Sequence, residues 1–360
     1  MIPALESGGA ERAALEIGHA LRAAGHRSIV VSRGGRMLSE LLESGSEHVD
    51  LPVGSKSAAG LLCVPALRRL FSETGADIVH ARSRLPAWLA HAALRRLSKR
   101  PHFITTMHGL NTPGWYSSIM ARGERVICVS NTVRDHALHH YPETDPGRLV
   151  VIPRGVDPER FPFGYRPDDD WRRRFFSEFP QLDGAPLLTL PGRGTRLKGH
   201  ADAIELLAAL KARGMDVRLL LLGARGSGRE RYIAELERLA SARGVAEQLA
   251  ISAPRDDVRD VFATSALVLQ LSNKPEAFGR TVVEALSLCR PVLGYAHGGV
   301  GELLAALYPA GRVPVGDLAR LTERAAELLR LAPPIAQIKG YRLADMQQAT
   351  LTLYQNVAGG

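Results

Sequence analysis

The 360-residue sequence has few cysteines, few aromatic residues and no long apolar run. Its three cysteines, Cys63, Cys128 and Cys289, form no CxxC pair and no cluster with histidine, which argues against a disulfide framework and a zinc site. No apolar stretch reaches the roughly 18 residues that a transmembrane helix needs. The N-terminus also lacks the basic start and apolar core of a signal peptide. We therefore expect a globular protein of the cytoplasm.

Positive charge, by contrast, is in excess, with a net charge of +9. Such an excess indicates an anionic partner, for which nucleic acid, a membrane surface and a phosphorylated substrate are the candidates. The basic clusters at 67–69 and 94–100 contain no interleaved aromatic residues and match no nucleic-acid-binding motif. We therefore expect no nucleic acid. A solvated helix face and contact with an anionic membrane surface both stay open as explanations of the clusters.

Short β-rich runs alternate with amphipathic helical stretches along the chain. In "AERAALEIGHALRAAG" the apolar residues Ala14, Ile17, Leu21 and Ala24 recur at helical spacing. The predicted strands are "HRSIVVS", "ADIVHAR", "HFITTMH", "RVICVS", "LVVIP", "PLLTLPG", "VRLLLLG", "QLAISA", "ALVLQLS" and "PVLGYA". Near-continuous apolar strands in this alternation predict an α/β fold, with parallel sheets covered by helices on both faces.

The alternation is interrupted by one Pro-, Gly- and Asp-rich stretch, "PRGVDPERFPFGYRPDDDW". Because the chain is long for a single hydrophobic core, two domains are expected. We predict an N-terminal domain over residues 1–160, a connection over 161–180 and a C-terminal domain over 181–336, followed by a helix within 337–360. The aspartates at 168–170 are interpreted as charge of the connection.

In open α/β sheets, ligands bind beyond the carboxyl ends of the strands, so the turn after "PLLTLP" is informative. It reads "GRGTRLKGH", in which Arg193 and Lys198 flank glycines just before a predicted helix. It is not a P-loop, because Lys198 precedes Gly199 and no Ser or Thr follows, nor GxGxxG, because Leu197 takes the third glycine's place. A helix N-terminus with two cations suits a diphosphate, although the same residues also serve ordinary helix entry.

A second turn, "NKPEAFGRTVVEAL", contains two glutamates eight positions apart. If the helix begins near Phe278 or Gly279, Glu284 lies inside it and Glu276 in the preceding loop. Eight positions span at most about 12 Å in a helix, too far for two carboxylates to share a proton. The spacing instead fits an elongated ligand held at two points, such as a nucleotide sugar. Each glutamate alone is also consistent with an ordinary surface carboxylate.

The stretch "PEAFGRTVVEALSLCRPVLGYAHGGVGE" resembles the E-x7-E segment and following strand of the family 4 glycosyltransferases. Further matches occur in the family's order along nearly the whole chain: "SGGAER", "TTMHGL", "ICVSNTV", "VIPRGVD" and "LPGRGTRLKGH". The resemblance implies the GT-B fold, in which two Rossmann-like doubly wound domains face each other and a C-terminal helix crosses back onto the N-terminal domain. It also implies a retaining enzyme that transfers a hexose-type sugar from a nucleoside-diphosphate donor to a hydroxyl acceptor.

The resemblance assigns donor-binding roles to residues of the C-terminal domain. Glu284 is expected to bind the donor ribose, and Glu276, with the backbone of Phe278 and Gly279, to hold the sugar. Arg255, in the turn "APRDDV", stands where members of the family approach the base. No cofactor is implied, and no metal, since the nucleotide sugar is a substrate and cations of the protein replace a divalent ion.

Those cations are Arg193 and Lys198, which are expected to stabilise the departing nucleoside diphosphate. Gly8 and Gly9 of the first loop are expected to let the backbone approach the donor phosphate and the acceptor. His108 matches the N-domain histidine near the reacting sugar. The catalytic set implied by the resemblance is therefore His108, Glu276, Arg193 and Lys198.

Two features depart from the family pattern. The asparagine of the family's "PNGVD" is replaced by Arg154, and the sequence leaves the consequence open. Only "MIPALE" precedes the first glycine loop, where the family has an apolar strand, and Pro3 cannot donate to a ladder. We expect part of this strand to be missing and the backbone around residues 5–12 to be less stable for that reason.

The sequence indicates the acceptor less directly than it indicates the donor. The family members most similar to this chain are bacterial and act on lipopolysaccharide or other surface glycans, which implies a glycan or glycolipid acceptor and a location at the inner face of the cytoplasmic membrane. Trp88, Trp115 and Tyr116 either stack on sugars or simply pack. Two other functions stay open: a nucleotide-sugar 2-epimerase on a similar fold, and a non-catalytic carbohydrate-binding protein on a GT-B scaffold.

Overall fold

The computed structural model describes residues 1–6, 8–56 and 58–359. By their internal contacts these residues fall into two compact units. Unit 1 comprises Met1–Gly155 together with Arg342–Gly360, and unit 2 comprises Val156–Tyr341. Within the described ranges, no helix is both long enough and apolar enough to cross a lipid bilayer.

The sheets of unit 1 are parallel. Their strands are β1 (Ile29–Ser32), β2 (Glu47–Asp50), β3 (Ile78–Ala81), β4 (His102–Met107), β5 (Arg125–Cys128) and β6 (Leu149–Val151). β1 pairs with β2, and β3 to β6 form a second sheet in sequence order. The first residues of the chain run between β1 and β3, since the amide of Ile2 donates to the carbonyl of Val31 and the amide of Arg82 donates to the carbonyl of Met1.

Helices cover the sheets of unit 1. Those that precede the interdomain boundary are α1 (Gly9–Ala23), α2 (Leu38–Glu43), α3 (Ala58–Thr74), α4 (Arg84–Leu94), α5 (Trp115–Ser118) and α6 (Asn131–His140). In α1 the predicted apolar face is buried at Ala14 and Ile17 and partly buried at Leu21, whereas Ala24 follows the last residue of the helix and is exposed. This agreement follows from the 3.6-residue period, which places these side chains on one side of the helix.

Unit 2 contains a parallel sheet in the order β12-β11-β10-β7-β8-β9. Its strands are β7 (Leu187–Pro191), β8 (Arg218–Leu222), β9 (Leu249–Ile251), β10 (Leu267–Gln270), β11 (Val292–Tyr295) and β12 (Arg312–Val313). Its helices are α7 (Asp169–Glu178), α8 (His200–Ala212), α9 (Glu230–Ala242), α10 (Val258–Thr264), α11 (Arg280–Ser287), α12 (Gly298–Leu307) and α13 (Leu318–Arg330). The strand order reverses between β7 and β10, which makes the carboxyl ends of these two strands the switch point at which such sheets bind ligands.

The last helix, α14 (Leu343–Ala358), belongs to unit 1. Met346 and Leu353 of this helix lie in one buried cluster with Ile17 of α1 and Ile104 of β4. Tyr354 adds a polar contact, because its hydroxyl bonds Nδ1 of His80. The C-terminal helix that the GT-B resemblance implies is therefore anchored in unit 1 by apolar and polar contacts.

The α/β fold with parallel sheets is confirmed, and each of the ten predicted strand segments contains a strand. The sequence pattern missed β2 and β12. β2 has only partly buried or exposed side chains, and β12 is two residues long, so neither produces an apolar run. Within the stretch 161–180, predicted as a connection, residues 169–178 form α7 of unit 2.

Candidate functional site

The β7–α8 loop packs directly on the β10–α11 loop at the switch point of unit 2. Gly199 has φ +73°, and a Cβ atom there would lie 2.0 Å from the carbonyl oxygen of Leu271. The amide of Asn273 donates to the carbonyl of Leu197 across the same contact, at 2.8 Å. Only glycine fits at position 199, so this residue sets how closely the two predicted ligand-binding turns approach.

This contact joins two predicted site residues, Lys198 and Glu276. Lys198 Nζ lies 2.6 Å from Glu276 Oε1, with side-chain exposures of 27% and 22%. The hydroxyl of Ser272 donates to the same carboxylate. Nε2 of His297 lies 2.7 Å from the carbonyl oxygen of Ser272, which can only accept, so this nitrogen carries the proton. The Glu276 carboxylate is thus held by one cation and one hydroxyl.

Arg193, the other predicted cation, is differently placed. Its side chain is exposed, and across the described residues it has no ion-pair partner. Gly192 before it has φ +151°, and a Cβ there would lie 3.2 Å from the Lys198 side chain. A Cβ at Gly194 would lie 2.2 Å from the carbonyl oxygen of Ala224, so the loop also packs tightly after β8. The glycines allow this close packing, and Arg193 remains available to an anion.

Gly279, with φ +101°, caps α11, which begins at Arg280. Glu284 is the fifth residue of this helix, partly exposed and engaged in contacts of its own. Phe278 is buried at 7% exposure, and its ring centre lies 6.0 Å from that of Tyr341. Glu276 therefore precedes the helix and Glu284 lies within it, as the E-x7-E spacing predicts.

The start of α12 packs against the backbone of the loop that carries Glu276. The amide of Gly299 donates to the carbonyl of Glu276 at 2.7 Å. A Cβ at Gly298 would lie 2.7 Å from the same carbonyl oxygen, and one at Gly299 would lie 2.5 Å from the Cα of Phe278. The Gly-Gly pair of "HGGVGE" therefore allows a helix to pack against the backbone that carries Glu276.

His200, the first residue of α8, is fully buried beside the β7–α8 loop. Its Nδ1 faces the carbonyl oxygen of Thr195 at 3.3 Å, and its buried Nε2 makes no hydrogen bond of good geometry within the described part of the chain. Desolvation therefore lowers the pKa of His200 from 6.5 to about 4. The ring is neutral near pH 7 and contributes packing to this loop, but no positive charge.

Arg255 is bound to carboxylates of unit 2. Its guanidinium pairs with Asp257 at 2.8 Å and with Glu178 at 2.7 Å, and it lies over the rings of Phe175 and Phe179. The hydrogen bond to Asp257 is the main cause that raises the pKa of Arg255. These contacts tie α7 to the loop after β9. The role of Arg255 at the donor base stays a prediction.

In unit 1, His108 follows β4 and is in contact with Arg154, the residue that replaces the family's asparagine. Nη2 of Arg154 bonds Nδ1 of His108, and Nη1 lies 3.6 Å from the sulfur of Met346. Arg154 is only 8% exposed. Because a guanidinium can only donate, Nδ1 of His108 accepts, and the proton of the neutral ring is on Nε2. Arg154 thus fixes the tautomer of the predicted catalytic histidine.

Gly8 and Gly9 lie at the start of α1, Gly8 as its cap and Gly9 as its first residue. Neither glycine has a positive φ, and a Cβ at Gly9 would have no heavy atom within 4 Å. Open space at Gly9 is compatible with a ligand that approaches the helix start. Their roles at the donor phosphate stay predictions, and Ser7 before them is outside the described residues.

An aromatic and cationic cluster forms a second notable surface of unit 1. Trp115 is 70% exposed and stacks on Trp88, with ring centres 4.4 Å apart. Trp88 Nε1 donates to the carbonyl of Tyr116 at 2.9 Å, which holds the Trp88 ring against the backbone that follows Trp115. The guanidinium of Arg84 lies over the Tyr116 ring and that of Arg122 over the Trp88 ring. We call these five residues the tryptophan cluster.

Among the residues that the structure describes, no group of three or more His, Cys, Asp or Glu side chains is arranged to hold a metal ion. The aspartates at 168–170 lie at the start of α7. Asp168 caps the helix by accepting from the amide of Trp171, and Asp170 pairs with Arg173. Their arrangement is that of a helix N-terminus.

The sequence analysis overlooked two side chains at the switch point, Ser272 and His297. Ser272 closely follows β10, and His297 is the cap of α12 after β11. The rule that ligand-binding residues follow the carboxyl ends of strands covers both positions. Neither residue belongs to the E-x7-E pattern, so the motif alone gave no signal for them.

Comparisons with known proteins extend over both units. The family model described as Glycosyltransferase Family 4 matches residues 7–160, and the one described as Glycosyl transferases group 1 matches residues 172–339. The alpha-maltose-1-phosphate synthase of Mycolicibacterium smegmatis is 25% identical over 279 residues, which are 72% of this chain and 69% of that protein. The two matched segments together include the predicted site residues.

Solved structures resemble the whole chain. A glycosyltransferase from Rickettsia africae ESF-5 superposes with a TM-score of 0.86 at 25% identity, over 99% of this chain and 97% of that one. Anabaena Alr3699/HepE in complex with UDP-glucose gives a TM-score of 0.77 at 18% identity, over 99% of this chain and 100% of that one. The fold shared with these proteins is the GT-B α/β fold.

Proposed function

We propose that this chain, a member of the family 4 glycosyltransferases, is a retaining enzyme. It transfers a hexose-type sugar from a nucleoside-diphosphate donor to a hydroxyl of a glycan or glycolipid, in the synthesis of lipopolysaccharide or another surface glycan. The observation that carries the proposal is the contact between Lys198 and Glu276 at the switch point, with exposed Arg193 on the same loop.

The ribose, the diphosphate and the hexose of the donor each have a proposed partner in this arrangement. Glu284 of α11 takes the ribose, Arg193 and Lys198 take the diphosphate, and Glu276 takes hydroxyls of the hexose. Two cations at the leaving diphosphate stabilise the charge that develops when the glycosidic bond breaks, so the proposal includes no metal. Anabaena Alr3699/HepE, a structural neighbour, is described in complex with UDP-glucose, which supports a nucleotide sugar as donor.

The remaining member of the predicted catalytic set is His108, a residue of unit 1. Its Nε2–H is a hydrogen-bond donor for the reacting sugar, because Arg154 occupies Nδ1. The tryptophan cluster offers an exposed ring for an acceptor sugar. Arg84 and Arg122 of the same cluster give this surface the positive charge that an anionic membrane or a phosphorylated glycolipid attracts.

Thermal unfolding with a panel of nucleoside diphosphates and nucleotide sugars tests the donor. A ligand at a hundred times its dissociation constant adds about 2.7 kcal/mol to the free energy of unfolding, so a matching base and sugar raise Tm clearly. Proton NMR of the product then reports the anomeric configuration, which is retained if the proposal holds. If no nucleotide raises Tm, the proposed donor site is refuted.

A further inference from the structure

The ion pair between Lys198 and Glu276 raises a question about how the free site accepts a diphosphate. Lys198 Nζ lies 2.6 Å from the Glu276 carboxylate, and both side chains are about three-quarters buried. In the free protein this cation is therefore already neutralised by an internal anion. A diphosphate that binds Lys198 has to replace that anion, and it meets a negative charge if Glu276 stays in contact with Lys198.

Glu276 has a second contact that does not depend on Lys198. The Ser272 hydroxyl donates to the carboxylate, and Ser272 is only 5% exposed. The backbone of Ser272 is fixed in turn by His297, whose Nε2 lies 2.7 Å from its carbonyl oxygen. The backbone of Glu276 is held by the amide of Gly299. When Lys198 leaves, Ser272 can keep the carboxylate in place.

We infer that donor binding exchanges the partners of Lys198 and that Ser272 is a positioning residue for this exchange. The inference rests on the proposed function of the site. Lys198 passes from Glu276 to the diphosphate, and the released carboxylate oxygen accepts hydrogen bonds from hexose hydroxyls while Ser272 holds it. A nucleotide sugar therefore satisfies both Lys198 and Glu276.

A free nucleoside diphosphate satisfies only Lys198. It separates the ion pair and leaves the Glu276 carboxylate, in a largely buried position, without the sugar hydroxyls that replace the lysine. The exchange consequently makes the site discriminate between substrate and product. After the sugar has been transferred, Glu276 competes with the diphosphate for Lys198, and this competition favours product release.

Glu276→Gln tests whether the Glu276 carboxylate competes with the diphosphate for Lys198. Glutamine keeps the shape of the side chain but removes the charge that competes for Lys198. We expect isothermal calorimetry to show the free nucleoside diphosphate binding about tenfold more tightly to Glu276→Gln than to the wild type, a difference of about 1.4 kcal/mol. The intact nucleotide sugar is expected to bind more weakly, because an amide replaces a charged acceptor. Unchanged or weaker binding of the diphosphate refutes the exchange.

Ser272→Ala removes the hydroxyl that positions the Glu276 carboxylate and leaves the charge of Glu276 unchanged. We expect this variant to bind the free diphosphate within about twofold of the wild type and the nucleotide sugar about tenfold more weakly, by the loss of one charge-assisted hydrogen bond. Ser272→Thr retains the hydroxyl and is expected to restore sugar-nucleotide binding. If Ser272→Thr fails to restore it while both variants keep the wild-type Tm, Ser272 is not a positioning residue.

Glu205→Gln is the matched control, because it removes one negative charge from α8, where Glu205 pairs with Arg243. Diphosphate affinity in this variant is expected to equal that of the wild type, and an equal gain in Glu205→Gln assigns the effect to net charge and overturns the exchange. The failures are distinguishable. A wild type that binds no nucleoside diphosphate refutes the proposed function, whereas a wild type that binds one without a gain in Glu276→Gln refutes only the exchange.

Discussion

In unit 2, Lys198 lies 2.6 Å from a carboxylate, whereas in unit 1 Arg84 and Arg122 lie over aromatic rings. Neither arginine of the tryptophan cluster has an ion-pair partner in the part of the chain that the structure describes. A cation held by an internal acid and by glycine-packed loops suits one defined anion. Cations spread over exposed rings suit a larger and less specific surface. The difference explains why the proposed donor site can be described residue by residue in unit 2, while unit 1 only suggests the kind of acceptor to propose.

Lys198→Met is expected to have the largest effect on turnover, because it removes a cation that is proposed to contact the leaving diphosphate. Loss of one such stabilising donor typically lowers kcat by about a hundredfold to a thousandfold. Arg231→Met is the control, since Arg231 is 96% exposed and lies on α9. Steady-state turnover of both variants decides the point. If Lys198→Met has a near-wild-type kcat, the cation of unit 2 is not specific for the leaving diphosphate, and the proposed distinction from the cations of unit 1 is wrong.

Glu284→Gln is expected to weaken binding of the free nucleoside diphosphate and of the nucleotide sugar equally. The lost interaction is with the ribose that both ligands share, and one hydrogen bond to a charged group is worth about 1.5 to 3 kcal/mol. Calorimetry with both ligands measures the two losses. A loss confined to the nucleotide sugar would move Glu284 from the ribose to the hexose.

Acid is expected to destabilise unit 2 through His200. Its pKa is lowered from 6.5 to about 4, so between these values the unfolded chain binds more protons than the folded chain. Stability is therefore complete above pH 6.5 and falls as the pH drops toward 4, by at most about 3 kcal/mol from this residue. Urea unfolding at pH 7 and pH 5, compared between the wild type and His200→Asn, measures it. The same pH dependence in both proteins would exclude His200 as its source.

Arg154→Met tests whether unit 1 has its own positioning device. The variant removes the guanidinium that donates to His108, and we expect kcat to fall about tenfold, the equivalent of one hydrogen bond in the transition state. Arg154→Lys keeps a donor and is expected to recover part of the loss. Affinity for the free nucleoside diphosphate should not change, because its proposed partners are in unit 2. A parallel loss of that affinity would indicate that Arg154 supports folding only.

The parallel sheets were predictable, and Lys198 and Glu276 could be chosen as candidate donor residues, because both follow from local patterns. Apolar strands and helical spacing predicted the parallel sheets, and turn chemistry identified Lys198 and Glu276. What was not predictable depends on contacts between distant segments. The bond from Arg154 to His108 joins residues 46 positions apart, and the ion pair of Lys198 with Glu276 joins residues 78 apart. No local pattern in one sequence contains such pairings.

Trp115→Ala is expected to have the smallest effect and to affect the acceptor only. Trp115 is 70% exposed, so its removal costs little folding free energy, but it takes away the ring that stacks on Trp88. An aromatic stacking contact is worth about 0.5 to 1.5 kcal/mol, which predicts an acceptor KM raised about twofold to twelvefold. Turnover on a glycolipid acceptor measures this KM, and donor hydrolysis without acceptor should stay unchanged.

Leu62→Ala is the control for this last prediction, because Leu62 is another exposed apolar residue of unit 1, at 74% exposure. It is expected to leave the acceptor KM unchanged. Sedimentation with vesicles of anionic phospholipid separates the two proposed partners of the tryptophan cluster, a membrane surface and an acceptor glycan. If Trp115→Ala abolishes vesicle binding and leaves the KM for a water-soluble glycan acceptor unchanged, the tryptophan cluster serves the membrane. If KM rises without a change in vesicle binding, it contacts the acceptor sugar, and the loosely specified cations of unit 1 belong to the acceptor site.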